Sequence, residues 1–376
     1  MIYLDANATT PLRPEALAAI EEVLAQGPLN ASSVHSAGQR ARALLDLARE
    51  ECAAALHCDP RELIFTSGGT ESDHLAIRGG ALAARRAGHI VTTAVEHPAV
   101  LGACAQLGPA GITTTRVPVD ASGALDLDAL DAALAAPGAL LCSAMAANNE
   151  TGVLFPLERL GELCRKHGVP LHVDAVQAAG RVPLRLDELP ATYLSLSGHK
   201  LRGPQGIGLL WARRGAPLAA VQTGGHQEKG RRAGTESVAL AAGLARALSL
   251  AVNDLPHSQP RLAALRDRLE TAALAIPGTE VHGRQGPRLA NTLCASFAGC
   301  EGETLLVALD LASVCVSTGS ACSSGSLEPS PVLLAMGVPE ARARGALRFS
   351  LYSGNTQAEI DRVAALLPKL VAQCRR

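Results

Sequence analysis

The chain has 376 residues, of which 48% are hydrophobic and 18% are charged, and its formal net charge is −1 at pH 7. This length exceeds what one ordinary hydrophobic core occupies, so the composition predicts a globular protein of two domains. The near-zero charge gives no electrostatic reason to expect nucleic acid or an anionic membrane as a partner.

Ten cysteines are spread over the chain without any Cys-x-x-Cys pair. That spacing disfavours a structural zinc site and gives little support for a disulfide framework in a chain of this length. The N-terminal sequence MIYLDANATTPL has neither the basic nor the apolar region of a signal peptide. The longest uncharged run, residues 132–149, contains a Pro-Gly pair and predicts a loop and a buried strand rather than a membrane span. We therefore expect a cytoplasmic protein without a resident metal ion.

The first part of the chain predicts helices at residues 14–26 and 35–57, because apolar residues recur there at helical spacing. Apolar runs and helical segments then alternate, which predicts a largely parallel, doubly wound α/β sheet. The predicted strands are residues 63–66, 89–95, 113–119, 139–145, 170–176 and 192–197. Residues 254–260 contain two prolines and indicate a domain boundary. Beyond them we expect a helix at about 260–275, strands near 291–297 and 313–317, and a last helix from about Thr356.

Two of the predicted strands end in polar side chains that suit a charged cofactor. Asp174 and Gln177 lie at the end of the strand predicted at 170–176, and Ser197, His199 and Lys200 lie at the end of the one predicted at 192–197. Ligands of open α/β sheets bind beyond the carboxyl ends of such strands. Pyridoxal phosphate (PLP) needs a lysine for a Schiff base and an acid opposite its ring nitrogen. Each residue alone is more often a turn residue or a solvated charge, and only the set points to this cofactor.

A glycine turn, TSGGTES at residues 66–72, follows a predicted strand and opens a helix. Free N–H groups and the helix dipole favour an anion there, although an ordinary helix cap at Thr70 is the alternative. His97 and Asn149 follow two further strands. The glycine-rich basic sequence at 224–235 is by itself typical of a solvated charged loop.

Cys322 lies within STGSACSSGSLEPS, residues 317–330, among serine, alanine and glycine. This composition is typical of an exposed loop, whereas Cys315 lies among apolar residues as a packed thiol does. Exposure without a metal-ligand pattern favours reactivity over packing for Cys322.

These motifs resemble the cysteine desulfurases, which are class V aminotransferase-like enzymes of PLP fold type I. The resemblance extends from YLDANATTP at residues 3–11 to RFSL at residues 348–351, and the approach to Cys322 is similar to that of the NifS- and IscS-like group. It implies a large PLP-binding domain of residues 13–257. It also implies a smaller α+β domain, which joins residues 1–12 to residues 258–376 and carries the catalytic cysteine.

The resemblance also implies a role for each candidate residue. For the cofactor these are Gly69, Thr70, Ser197 and His199 at the phosphate, His97 stacked on the ring, Asp174 at the ring nitrogen, Asn149 and Gln177 beside the ring oxygen, and Lys200 in the Schiff base. Thr235 would reach the phosphate of a neighbouring subunit, which implies a homodimer with shared active sites. Arg348, with Asn149, would bind the substrate carboxylate. Lys200 and His97 would move protons, and Cys322 would be the nucleophile and the one candidate for a transient iron–sulfur ligand.

The implied reaction converts L-cysteine to L-alanine and leaves a persulfide on Cys322 for an iron–sulfur scaffold or another sulfur acceptor. A selenocysteine lyase or a class V aminotransferase is an alternative with the same fold. An alternative of another class is a non-catalytic sulfur-relay or scaffold partner, which the intact pair of Asp174 and Lys200 argues against. Residues 352–355 and Ala31 depart from the family pattern, so the resemblance does not cover the substrate entrance.

Overall fold

The computed structural model describes residues 1–319 and 328–375. The helices are α1 Pro14–Leu24, α2 Ser36–Leu56, α3 Gly69–Ala83, α4 Pro98–Ala105, α5 Leu127–Ala135, α6 Leu157–Lys166, α7 Val238–Leu274, α8 Gly302–Leu311, α9 Pro331–Ala335, α10 Glu340–Arg344 and α11 Gln357–Cys374. The strands are β1 Ile2–Tyr3, β2 Leu63–Thr66, β3 Gly88–Thr93, β4 Ile112–Val117, β5 Ala139–Met145, β6 Leu171–Asp174, β7 Tyr193–Ser197, β8 Gly208–Ala212, β9 Thr279–His282, β10 Thr292–Phe297, β11 Val314–Cys315, β12 Ser317–Thr318 and β13 Ala346–Ser350.

Seven strands form the main sheet, in the order β2-β8-β7-β6-β5-β3-β4. The five strands from β7 to β4 are parallel, and β8 is antiparallel to both of its neighbours. The α/β fold with a mainly parallel sheet is thereby confirmed. The sequence did not predict β8, whose short run GLLWA is buried throughout and shows no alternation of apolar and polar residues.

The long helix α7 differs from the sequence-based expectation. It continues for 37 residues through positions 254–260, where the sequence indicated a break, and it contains Pro256 and Pro260. A proline inside a helix removes a hydrogen-bond donor and costs about 3 kcal/mol. Packing of α1, α2 and α11 against α7 offsets that local cost. The indicated boundary therefore lies within a helix, and the division into two domains stays a prediction.

A second, antiparallel sheet has the order β12-β13-β10-β9, and β1 pairs in parallel with β11. A hydrophobic cluster joins Ile2 and Leu4 to residues between 262 and 371. The larger cluster lies mainly around the seven-stranded sheet but includes residues such as Cys294 and Leu333. The N-terminal segment thus packs with the C-terminal part of the chain, beside the main sheet. Cys315, which the sequence predicted to be packed, is only half-buried. It lies on β11, which forms a sheet of only two strands with β1.

Within the described ranges, α7 is the one helix that is long and apolar enough to cross a membrane. Half of the apolar window is buried inside the protein. Core helices pass the same test of length and composition, and α7 packs as one.

Candidate active site

A cavity of about 380 Å³ opens where the main sheet meets the N-terminal segment. All the sequence-predicted site residues line it except Thr235 and Cys322. Thr235 is exposed, and Cys322 lies outside the residues that the structure describes, so both roles stay predictions. The cavity also includes residues that the sequence did not predict, namely Asn7, Ala8, Asp73, Met145, Ala147 and Val176.

The N-terminus of α3 forms one end of the cavity. No side chain of the described residues caps this helix at Gly68, so its first N–H groups are available to an anion. An ideal Cβ atom on Gly69 would lie 2.8 Å from Cγ2 of Val176, which is closer than real contacts allow. A side chain at position 69 would therefore force Val176 or the backbone to shift. Thr70, at the next position, also lines the cavity.

Three buried carboxyl groups at the cavity interact with one another through their charges: Asp73, Glu96 and Asp174. Burial and the charge of Asp174 raise the pKa of Asp73 well above its usual range. Burial raises the pKa of Glu96 to about 8. Burial also raises the pKa of Asp174, but a hydrogen bond of 2.9 Å from the Val176 N–H to Oδ1 and the charges of His97 and Lys200 oppose that shift. Three such carboxyl groups cannot all be charged, and Asp174 is the best placed to be the anion.

The Lys200 amine and the His97 imidazole lie near this carboxylate. Lys200 lies just beyond β7, and its amine donates to the carbonyl oxygens of Asn7 and Ala8, the latter at 2.6 Å. His97 is the N-cap of α4, and its Nδ1 accepts from the Ala99 N–H at 3.1 Å. Burial lowers the pKa of His97 and the charge of Lys200 lowers it further, while Asp174 opposes the shift. The neutral ring therefore carries its proton on Nε2.

Arg348 also lines the cavity and is 2% exposed. Its Nη2 donates to Oδ1 of Asp5 at 2.8 Å, and its Nη1 donates to the Asn149 carbonyl oxygen at 3.1 Å. Its Nε is buried and has no hydrogen-bond partner among the described residues. Because an unsatisfied buried donor is costly, this atom marks a place where a ligand oxygen would be stabilised.

The N-terminal segment holds several of the predicted residues in place. Gln177 donates from Nε2 to the Asn7 carbonyl oxygen at 3.0 Å, and its Oε1 accepts from Arg181. His199 shares a hydrogen bond of 3.1 Å with the Thr9 hydroxyl, and burial lowers its pKa to about 4. The polar run of YLDANATTP was the only sequence signal for these contacts.

Residues 224–235, whose sequence is typical of a solvated loop, are instead held by ion pairs to other parts of the chain. Buried Glu228 forms a two-point ion pair with Arg49, with hydrogen bonds of 2.7 and 2.9 Å. Arg232 pairs with Glu71 of α3 at 2.7 Å. Neither acid was predicted, because its partner lies more than 150 residues away.

The residues around the cavity fit PLP. The N-terminus of α3 would hold its phosphate, the Asp174 carboxylate would face its ring nitrogen, and the Lys200 amine would bond to its aldehyde carbon. Gly69 leaves the space beside Val176 at this end of the cavity unfilled, since a Cβ atom there would conflict with the valine methyl group. The donors and acceptors thus match a flat ring with an anionic group at one end.

Comparison with known proteins agrees with this chemistry. The model of the class-V aminotransferase family matches residues 2–363. A curated relative from Trichormus azollae, named cysteine desulfurase, is 46% identical over 376 residues, which is all of this chain and 94% of the relative. A solved structure titled as a NifS-like protein is 34% identical, with a TM-score of 0.92 and 99% of both chains covered. A structure titled SspA in complex with cysteine is 31% identical, with a TM-score of 0.82, and covers 93% of this chain and 99% of its own.

Proposed function

This chain belongs to the class-V aminotransferase family, and from that premise we propose that it is a PLP-dependent cysteine desulfurase. The observation that carries the proposal is the cavity in which the amine of Lys200, the carboxylate of Asp174 and the guanidinium of Arg348 meet. The relative named cysteine desulfurase aligns with the whole chain.

The proposed reaction balances without any further oxidant or reductant. The carbon–sulfur bond of L-cysteine breaks, and a sulfur–sulfur bond forms with the Cys322 thiol. The products are L-alanine and a persulfide on Cys322. PLP, when bound, supplies the electron-withdrawing ring that makes the substrate carbon acidic.

The chain's own groups bind the substrate and move its protons. Arg348 would take the substrate carboxylate through its unsatisfied Nε and a neighbouring N–H. The Lys200 amine would remove and return the proton at the substrate carbon, and His97 would exchange protons at Nε2. Asp174 would keep the ring nitrogen protonated. The Cys322 thiol needs local activation, because a free thiol has a pKa of about 8.5 and is mostly protonated near pH 7.

We further propose a homodimer, in which Thr235 reaches the phosphate site of the second subunit. Its exposure in the single chain supports that arrangement. A cytoplasmic location and an iron–sulfur scaffold or other sulfur acceptor complete the proposal.

The test is to incubate the purified protein with L-cysteine and a reductant and to quantify alanine and sulfide. Equal amounts of both products, with a persulfide mapped to Cys322 by mass spectrometry, are expected. Lys200→Ala and Cys322→Ala should each abolish sulfide release.

The same assay distinguishes the alternatives. A class V aminotransferase would keep its activity in Cys322→Ala, and a selenocysteine lyase would release selenide from selenocysteine far faster than sulfide from cysteine. A colourless protein that PLP does not turn yellow would contradict the proposal and favour a non-catalytic sulfur-relay or scaffold protein.

A further inference from the structure

A single carboxylate touches both flanks of the segment that carries Cys322. The hydroxyl of Ser330 donates to Oε2 of Glu150 at 2.5 Å. On the other flank, an ideal Cβ atom on Gly319 would lie 2.5 Å from the same Oε2 and 3.2 Å from Cβ of Ser330. Positions 319 and 330 are therefore brought together at one atom of Glu150.

The contact is buried, and Glu150 lies on a turn that side-chain hydrogen bonds stabilise. Glu150 is 5% exposed and Ser330 is 3% exposed. The Asn148 side chain accepts at Oδ1 from the N–H groups of Glu150 and Thr151, both at 2.9 Å, and donates to the Val95 carbonyl oxygen at 3.2 Å. The Asn148 side chain thus ties this turn to Val95, two residues beyond the end of β3.

The same turn contributes to the substrate side of the cavity. Asn149, beside Glu150, lines the cavity and accepts a hydrogen bond from Arg348. Burial raises the pKa of Glu150 to about 7, while the hydrogen bond from Ser330 and the charge of Arg348 from β13 oppose that shift. One turn thus connects the guanidinium proposed to bind substrate with both flanks of the Cys322 segment.

We propose that Glu150 is a positioning residue, which fastens both flanks of the Cys322 segment to the turn carrying Asn149 and so sets the place from which the Cys322 thiol approaches the substrate. This inference rests on the proposed function, because it takes Cys322 as the nucleophile. Glycine at 319 is required because any side chain there would displace the Glu150 carboxylate from Ser330.

The experiment uses Glu150→Ala, Glu150→Gln and Gly319→Ala in the PLP-loaded protein. Gly286→Ala is the matched control, because a Cβ atom there meets nothing within 4 Å and the backbone angle is ordinary. Four quantities are measured: bound PLP by absorbance, the Kd of L-cysteine by spectral titration, the rate of Cys322 alkylation by iodoacetamide without substrate, and the rate of persulfide formation in a single turnover.

We expect Glu150→Ala and Gly319→Ala to slow persulfide formation at least tenfold and to change the alkylation rate at least threefold. PLP content and the Kd of L-cysteine should stay within twofold of wild type. Glu150→Gln should recover most of the rate, because its amide oxygen still accepts from Ser330. Gly286→Ala should behave as wild type.

Two results would overturn the inference. The first is that both rates stay within twofold of wild type in Glu150→Ala and Gly319→Ala. The second is that these rates fall together with PLP content, which indicates a merely structural role. If the wild type itself forms no persulfide on Cys322, the proposed function fails, whereas the alkylation rates still test whether Glu150 fastens the segment.

Discussion

The two sides of the cavity are built in different ways. The side proposed to bind the cofactor, here the cofactor side, uses Gly69, Asp174 and Lys200, which lie at or within three residues of the end of a strand of one sheet. The side proposed to bind the substrate, here the substrate side, uses Asp5, Asn149 and Arg348, which come from three distant parts of the chain. The first side takes its residues from strand ends of one sheet, and Lys200 there also donates to Asn7 and Ala8. The second side needs the N-terminal segment, the turn with Asn149 and β13 to pack together. Substitutions on the two sides should therefore have different signatures.

The largest effect is expected on the cofactor side, from Lys200→Arg. The charge stays but the nucleophilic amine is lost, so alanine formation should fall by about 10⁴-fold. The measurement is alanine production from L-cysteine, with bound PLP followed by absorbance. Lys166→Arg is the control, since Lys166 is a surface residue paired with Asp131. Retention of more than a tenth of the activity in Lys200→Arg would contradict the assigned role.

A second prediction concerns the buried acid beneath the cofactor side. Glu96 has a folded-state pKa of about 8 against an ordinary value of 4.5, because it is buried. Between these values the folded protein keeps a proton that the unfolded chain has released, so the free energy of unfolding should fall as the pH rises from 4.5 to 8. In Glu96→Gln this fall should be smaller by on the order of 4 kcal/mol.

Urea unfolding of wild type and Glu96→Gln at several pH values checks this difference. Glu50→Gln is a control on the surface of α2. Parallel stability profiles for wild type and Glu96→Gln would show that Glu96 does not hold a proton in the folded protein.

The third prediction is on the substrate side. Arg348→Lys removes the two-point contact with the substrate carboxylate, so the KM for L-cysteine should rise about 100-fold. The absorbance of bound PLP should be unchanged, because no cofactor group is altered. Asp5→Asn should give a weaker effect in the same direction, since Asp5 orients Arg348 through one hydrogen bond. A loss of PLP in Arg348→Lys would show that the two sides are not separable.

The smallest effect is expected from Gly69→Ala. The added methyl group would meet Val176 at 2.8 Å and push the N-terminus of α3 away from the phosphate site. Overpacking of this kind costs about 1–3 kcal/mol, so the Kd of PLP should rise roughly 10-fold. Gly102→Ala is the control, because a Cβ atom there meets nothing within 4 Å. An unchanged Kd would place the phosphate elsewhere.

The sequence predicted that residues at the ends of several strands would lie together, and they line one cavity, because strand ends and a glycine turn are recognised from neighbouring residues. The six strands expected before residue 200 all occur, within a few residues of their expected bounds. It predicted the long helix α7 poorly. Pro256 and Pro260 locally favour a break in the helix, and only the packing of other helices against α7 offsets that preference.

What the amino-acid sequence alone determined was the α/β fold, the family and the residues at the carboxyl ends of the strands. These depend on periodicity and on motifs of a few residues. Only the tertiary structure showed that Asp5 orients Arg348 and that Glu150 meets Gly319 and Ser330. Such contacts join residues more than 150 positions apart, and they depend on how separate sheets and turns pack, which no local pattern encodes.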